Sequence, residues 1–420
     1  MAVTVIILGA ALLLVLTAVA VPEQPVPDVS DDDLRGDFTD DERARERGFR
    51  RRVRPLGLAS VALDVLVPTL LVASGGLSRI VGRLDGPWWV GVEVGVIVLL
   101  GVSRVVTLPL GIAVRRASLD VGLAAGPWRR WWRDVGVAWV LGVALTSIAF
   151  VGWVGAMRAW PGGWWVPVAA AAAVVVVVVS FLVPVVIEPL FSKFEPMPDG
   201  DLRRDLFSLA AVDAVVVGDV LVADASRRTT ALNAYVSGLG RTRRIVVHDT
   251  LLDTASPNEV RAVVAHELGH VVAHDVRTGT LLGAGGAVLT IAFASVLLGL
   301  GGVLSWGHVT TTSDPAVVGL LVVGAAWLGL LSAPVQNLVS RRIERRADAH
   351  CLRRTADPAT VASMHRTLAV TNIAPLRPPR LLHVWFGSHP TSPERISAAR
   401  AWARAHHVPV PGPLAPDTVA

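Results

Sequence analysis

Ser256-Pro257-Asn258-Glu259-Val260-Arg261-Ala262-Val263-Val264-Ala265-His266-Glu267-Leu268-Gly269-His270 is the stretch on which the reading of this chain turns. Ser256 stands at an N-cap, Pro257 at the first helical position and Glu259 at the third, so a capped helix is expected to start here. Four residues apart on that helix, His266 and His270 share a face. Two imidazoles on one face suit a single tetrahedral Zn²⁺. Glu267 is turned by about 100° from His266. There it can stand beside the ion and take a proton from an attacking water without being a ligand itself.

Around this helix the chain is strongly apolar. Of 420 residues, 52% are hydrophobic and 17% charged, and the mean hydropathy is +0.55. Seven segments, 3–21, 57–77, 88–112, 135–157, 164–190, 280–304 and 316–338, reach the roughly 18–20 residues that cross a bilayer. The fold class is therefore an α-helical polytopic membrane protein. The first segment lacks a basic leader and exits at Pro22-Glu23-Gln24-Pro25, a poor match to a cleavage site, so it is expected to be a retained span.

Basic residues set the orientation. The loop 22–56 carries a dense run from Arg43 to Arg54, the next loop only Arg79 and Arg83, and the third Arg115, Arg116, Arg129, Arg130 and Arg133. The fourth has Arg158 alone, the fifth is Arg-rich, and 305–315 has no Lys or Arg. This alternation predicts seven spans with the N-terminus outside and two cytoplasmic segments, 191–279 and 339–420. The expected organisation is a five-span part (1–190, with a solvated charged linker at 22–56), a segment 191–279 carrying the metal helix, and a two-span hairpin at 280–338. A second cytoplasmic segment, 339–407, and a disordered Pro-rich tail, 408–420, complete it. Asp64 and Arg104 fall inside spans at similar depth, where they are expected to pair or to line one wet cavity, or else to sit protein-buried with Arg104 snorkelling.

The pI near 10.6 does not imply nucleic acid, because the arginines gather beside apolar runs and no basic stripe with interleaved aromatics is present. Cys351 is the only cysteine, which excludes an intrachain disulfide and a thiolate metal cluster. Lys193 is the only lysine, a bias toward arginine that goes with GC-rich bacterial genomes.

A zinc site needs a third ligand. His274 shares the face of His266 but lies about 12 Å along the helix, too far for one ion; it is expected to be a neighbouring hydrogen-bond partner or an interface residue. Ala273 and Val276 also depart from the metzincin spacing. Glu344 is the better candidate, because a hairpin of the last two spans brings its helix end back to the metal helix. Asp348, one turn further on, can orient a ligating imidazole. Spacing alone also fits a charged helix face laced with Arg341, Arg342, Arg345 and Arg346.

These residues resemble the HtpX-like and type I CAAX prenyl protease family of integral-membrane zinc metallopeptidases. His266 to His270 followed by His274 is similar to its metal helix, and Ser340-Arg341-Arg342 with Glu344 and Ala347-Asp348-Ala349 to its third-ligand segment. Pro189-Leu190-Phe191, Asn233-Ala234-Tyr235, Arg244-Ile245-Val246-Val247 and Ser388-His389-Pro390 with Glu394-Arg395-Ile396 extend the likeness over roughly 180–400. It continues weakly into the first five spans, and those spans favour the CAAX-protease branch. The resemblance implies a mostly helical cytoplasmic gluzincin-type domain with a small β-sheet, below a chamber enclosed by seven helices. It implies one Zn²⁺ per chain, His389 as an oxyanion donor, and Asn233 and Ala234 presenting backbone to an extended substrate.

The expected function is a zinc-dependent membrane endopeptidase. It would cut peptides or membrane-protein segments at the cytoplasmic face, with the lipid bilayer as its other partner and no nucleic acid. A prenylated substrate does not follow. A quality-control protease for misfolded membrane proteins is the rival within the class. A non-catalytic zinc-bearing scaffold is the rival outside it, although such a site has no need of Glu267.

Overall fold

Helix starts in this chain are written by short polar cues, and the elements follow them. The computed structural model describes residues 1–21, 28–238 and 240–416. The first half contains α1 (Ala2–Ala20), α2 (Asp31–Asp37), α3 (Asp40–Ala73), α4 (Gly76–Val81), α5 (Trp88–Asp120), α6 (Trp128–Ala159), α7 (Trp165–Leu182) and α8 (Glu188–Phe191). Then come β1 (Phe194–Pro196), α9 (Asp201–Val212), β2 (Asp219–Ala223), β3 (Ala234–Ser237), β4 (Arg244–His248), α10 (Asp249–Thr254) and α11 (Pro257–Val272). The chain continues with α12 (Asp275–Leu298), α13 (Val303–Trp306), α14 (Val317–Thr355), α15 (Pro358–Thr371), α16 (Arg380–Phe386) and α17 (Ser392–Ala405).

Six helices among the described residues, α3, α5, α6, α7, α12 and α14, are long and apolar enough to cross a membrane. The seventh expected span is α1, 19 residues of helix laid against α12, where Leu289 packs onto Gly9 and Leu13 onto Gly285. Val92, Val96, Leu99, Met157, Val317 and Val318 form the buried seam between helices. Val105, Ile148 and Leu331 stay largely exposed, as lipid-facing side chains do. The protein is a multi-pass membrane protein.

Two expectations change, and for Asp64 with Arg104 the alternatives narrow to a shared cavity or a snorkelling Arg104. The last two spans form no tight hairpin: α12 packs mainly along α7 and α1, and α14 along α11 and α3. Arg104 is the cation whose charge acts on Asp64, yet the two make no direct ion pair among the described residues. The segment 22–56, expected to be solvated, forms α2 and the start of α3 among its described residues, and both dock on the rest of the protein. Capping boxes at Ser30 with Asp33 and Thr39 with Glu42 start α2 and α3. Leu34 and Phe38 enter the catalytic core. Arg400 pairs with Asp37 and Arg366 with Glu42, so the charges that suggested solvation are partnered ions instead.

The tail also departs from disorder over 408–416. The amide of Ala415 donates to the Gly36 carbonyl at 2.8 Å, Arg400 donates to the carbonyls of Pro411 and Gly412, and Leu414 packs on the same core. A Pro-rich strap has few amides to satisfy, so a few such bonds hold it. The stretch Pro22 to Pro25 and residues 417–420 lie outside the described residues.

The catalytic part has the four-stranded sheet order β1-β2-β4-β3. Strands β2 and β4 run parallel, while β1 and β3 pair antiparallel at the edges. Ile245 and Val247 of β4 pack against Val260, Val264 and Leu268 of α11 in one core. Each such buried aliphatic side chain contributes about 1.5–3 kcal/mol.

Candidate metal centre

Helix α11 starts as its sequence requires: the Ser256 hydroxyl accepts from the Glu259 amide, and the Glu259 carboxylate accepts from the Ser256 amide. Glu259 also accepts hydrogen bonds from Ser363 and Thr367 of α15, both at 2.8 Å. Val260, Val264 and Leu268 bury one stripe of the helix. His266 and His270 lie on another stripe. Between these histidines Gly269 allows α14 to come close, since a Cβ there would stand 3.2 Å from the Cα of Ala347 and 3.1 Å from the Cβ of His350. This helix contact, and not a hairpin of spans, brings Glu344 to the metal helix.

Nε2 of His266 and Nε2 of His270 are 3.2 Å apart. Glu344 places Oε2 3.5 Å from the first and Oε1 3.6 Å from the second. Two ligand atoms about 2.0–2.1 Å from a tetrahedral zinc lie about 3.3–3.4 Å from one another. The two imidazole nitrogens stand near that spacing, and each faces a different oxygen of the one Glu344 carboxylate at a slightly longer distance. The Glu267 carboxylate offers a further oxygen within 4.8 Å of both imidazoles.

The electrostatics of the cluster favour positive charge at this spot. Burial pushes the His266 imidazole toward neutrality, but Asp348 and Glu344 outweigh it and raise its pKa to about 10. Burial pushes the Glu344 carboxyl up, yet His266 and Arg395 bring it down to about 2. Asp348 is held far below the usual carboxylate range: burial opposes this, and Arg395 and His266 overcome it. Glu267 goes the other way, raised by burial and by Glu344 against the pull of His266 and His270. A carboxylate with raised pKa beside two metal-type imidazoles is a proton acceptor.

His266, His270 and Glu344 are each held from behind. Nδ1 of His266 lies 2.9 Å from Oδ1 of Asp348, close in distance although not aligned as an ideal hydrogen bond. Nδ1 of His270 is 2.9 Å from Oδ2 of Asp275. Arg395 at the start of α17 bridges the two acids, 2.5 Å from Glu344 and 3.2 Å from Asp348. His274, one of the expected hydrogen-bond partners, is exposed and forms the turn instead, with φ of 57°. That left-handed turn is what returns Asp275, the next residue, to His270.

A cavity of about 370 Å³ opens over the cluster. Asn233 and Ala234 line one wall at the start of β3, the edge strand whose outer side carries no strand partner among the described residues. Asn372 clamps the preceding residue, accepting from the Leu232 amide at 2.8 Å and donating to its carbonyl at 3.1 Å. On the other wall Nε2 of His389 lies 3.5 Å from Oε1 of Glu344, and Nδ1 is 2.8 Å from the Ser388 hydroxyl. Burial lowers the His389 pKa, and Glu344 opposes it. The loop bearing His389 is fixed by Arg341 and Asn337 of α14, which donate to carbonyls of Gly387 and Trp385.

Comparison with known proteins agrees with this geometry. Residues 196–403 match the model of peptidase family M48. "Uncharacterized metalloprotease YhfN" of Bacillus subtilis (strain 168) is 27% identical over 347 residues, 81% of each chain. "CAAX prenyl protease 1 homolog" of Arabidopsis thaliana is 32% identical over 231 residues, 52% of this chain and 51% of that one. The match thus spans about half the length of that plant relative. The crystal structure of S. mikatae Ste24p shares the fold, with a TM-score of 0.75, 21% identity, and coverage of 95% of this chain and 98% of that one. The chain is a type I CAAX-prenyl-protease-like membrane metallopeptidase.

In this metallopeptidase the cluster unites every site residue expected from the sequence: His266, Glu267, His270, Glu344, Asp348, His389, Asn233 and Ala234. Sequence reasoning passed over Asp275, Arg395, Asn372 and His365, the last a fully buried imidazole 3.7 Å from Asp348. Arg395 was legible as part of the Glu394-Arg395-Ile396 motif. Nothing local marked Asn372 or His365.

Proposed function

We propose that this metallopeptidase is a zinc-dependent endopeptidase of the gluzincin type. It hydrolyses peptide bonds in peptides or membrane-protein segments at the cytoplasmic face of the membrane. The observation that carries the reading is the convergence of His266, His270 and Glu344: the two Nε2 atoms are 3.2 Å apart, with Oε2 of Glu344 3.5 Å from the first and Oε1 3.6 Å from the second. These three residues would hold one Zn²⁺, which when bound supplies a Lewis acid for the scissile carbonyl and the attacking water.

Glu267 accepts the proton of that water and passes it to the leaving amine, a role that suits a carboxylate whose pKa burial has raised. In the tautomer protonated at Nε2, Nδ1 of His389 accepts from the Ser388 hydroxyl 2.8 Å away, and Nε2–H can donate to the scissile oxygen as negative charge develops there. An extended substrate segment lies along β3, with Asn233 and Ala234 presenting main-chain groups to it. The arginine-rich loops on the catalytic side support the cytoplasmic assignment. The peptidase chemistry is taken from the relatives, and their prenylated substrates stay with them.

The test is Glu267→Gln in purified protein, assayed for peptide hydrolysis and for bound zinc together. Loss of hydrolysis with zinc retained is expected; hydrolysis at the wild-type rate would remove the reading.

A further inference from the structure

A second cavity, of about 400 Å³, opens between the start of α6, the end of α8 and the loop that follows β2. It shares no lining residue with the cavity over the metal cluster. Six cations line it: Arg129, Arg130, Arg133, Lys193, Arg227 and Arg228. Only two carboxylates answer them. Asp134 pairs with Arg228 at 2.8 Å and Arg133 at 3.3 Å, and Asp224 pairs with Arg227 at 2.5 Å. The side chains of Arg129 and Lys193 have no hydrogen-bond or ion-pair partner among the described residues, and both are exposed. The start of α6 adds to the field, since Pro127 provides no side-chain cap and the helix's positive end faces the cavity.

The frame that carries these charges is pre-built. Ala125 donates to the Arg228 carbonyl at 2.8 Å, Thr229 donates to the Leu123 carbonyl at 2.8 Å, and Arg130 donates to the Arg227 carbonyl at 2.7 Å. Gly126, at φ of 77°, permits this approach: a Cβ there would stand 2.3 Å from the Arg227 oxygen. The two basic loops are therefore one rigid surface and not a set of free side chains.

The same cavity is lined by Pro189, Leu190 and Phe191. Beside it Trp128, Trp131 and Trp132 pack edge to face at the head of α6, the residue type that marks a membrane–water boundary. Arginine forks suit tetrahedral oxyanions, and basic pockets between spans at a membrane surface suit lipid headgroups. A cationic hollow with an apolar lip calls for a ligand that is anionic at one end and apolar at the other. We propose that this cavity binds the phosphate headgroup of an anionic phospholipid, whose acyl chains leave past Leu190 and Phe191.

The full chain in neutral detergent is titrated with dioctanoyl phosphatidylglycerol, dioctanoyl phosphatidylcholine or inorganic phosphate, and bound ligand is counted by native mass spectrometry. The readout is binding alone, so it stands or falls independently of the peptidase reading. Phosphatidylglycerol is expected to be retained in preference to phosphatidylcholine. The double substitution Arg129→Gln with Lys193→Gln is expected to weaken that retention about tenfold or more, with an unchanged thermal midpoint. Lys193→Gln alone, at an exposed site, reads the same loss in smaller measure if the double variant does not fold. Equal retention of the two lipids, or retention unchanged by the substitutions, overturns the proposal. Inorganic phosphate filling the wild type where phosphatidylglycerol does not bind overturns the lipid assignment in favour of a free oxyanion.

Discussion

Oδ2 of Asp275 lies 2.9 Å from Nδ1 of His270, although Asp275 opens a membrane-crossing helix and His270 closes the metal helix. A left-handed residue, His274, makes the turn that joins them. The carboxylate fixes the tautomer in which Nε2 faces the ion. Asp275→Asn is expected to weaken zinc binding about 10–100-fold. Chelator competition measures it, and activity should recover in excess zinc.

Arg395 neutralises two buried acids at once. Arg395→Met leaves Glu344 and Asp348 with His266 as a shared partner in place of a bridging guanidinium, and breaking a buried pair costs up to about 3–5 kcal/mol. Thermal unfolding of the metal-free protein should report that loss, and zinc should restore part of it. Arg395→Lys should fall between the two, because an ammonium lacks the fork that reaches both carboxylates.

His389→Ala removes a donor from the cavity and its contact with Glu344, while all three proposed ligands stay in place. The expected result is a fall in kcat of about 10²–10³ with zinc content unchanged. A kcat within twofold of wild type would exclude an oxyanion role.

Gly269→Ala puts a methyl group against the backbone of Ala347. Overpacking of this kind costs about 1–3 kcal/mol. Because α11 and α14 must part to relieve it, zinc affinity should drop together with stability, and a loss of stability alone would show that the contact does not set the ligand geometry.

Glu259 supplies a pH dependence away from the metal. Burial would raise its pKa, but hydrogen bonds from Ser256, Ser363 and Thr367 outweigh burial and hold it below 4.5. A depressed carboxyl contributes stability above its unfolded pKa and loses it as pH falls through the folded value. Wild-type unfolding midpoints should therefore decline below about pH 4.5. Glu259→Gln should be less stable at pH 7 and show a shallower decline.

Much of this was legible in one dimension because the signals are local. The capping box at Ser256 and the i, i+4 histidines are contacts within one helix, and the apolar spans are runs of composition. The docking of 28–42 was hidden for the opposite reason. Its charges look solvated until Arg366 and Arg400, more than 320 residues away in sequence, are seen to pair with them.

The amino-acid order alone determined that several helices would be long and apolar enough to cross a bilayer, that His266 and His270 would share a helix face, and that Glu267 would stand beside them. Each of these rests on helical periodicity or on run length, which neighbouring residues decide. Glu344 and Asp348 were candidates in the sequence, but how closely they approach the histidines, and that Arg395 and Asp275 hold the cluster from behind, only the packed molecule decided. Glu344, Arg395, Asp275 and Asn372 are set by how α11, α14, α15 and α17 press together, and side chains brought together by packing leave no periodic trace along a chain.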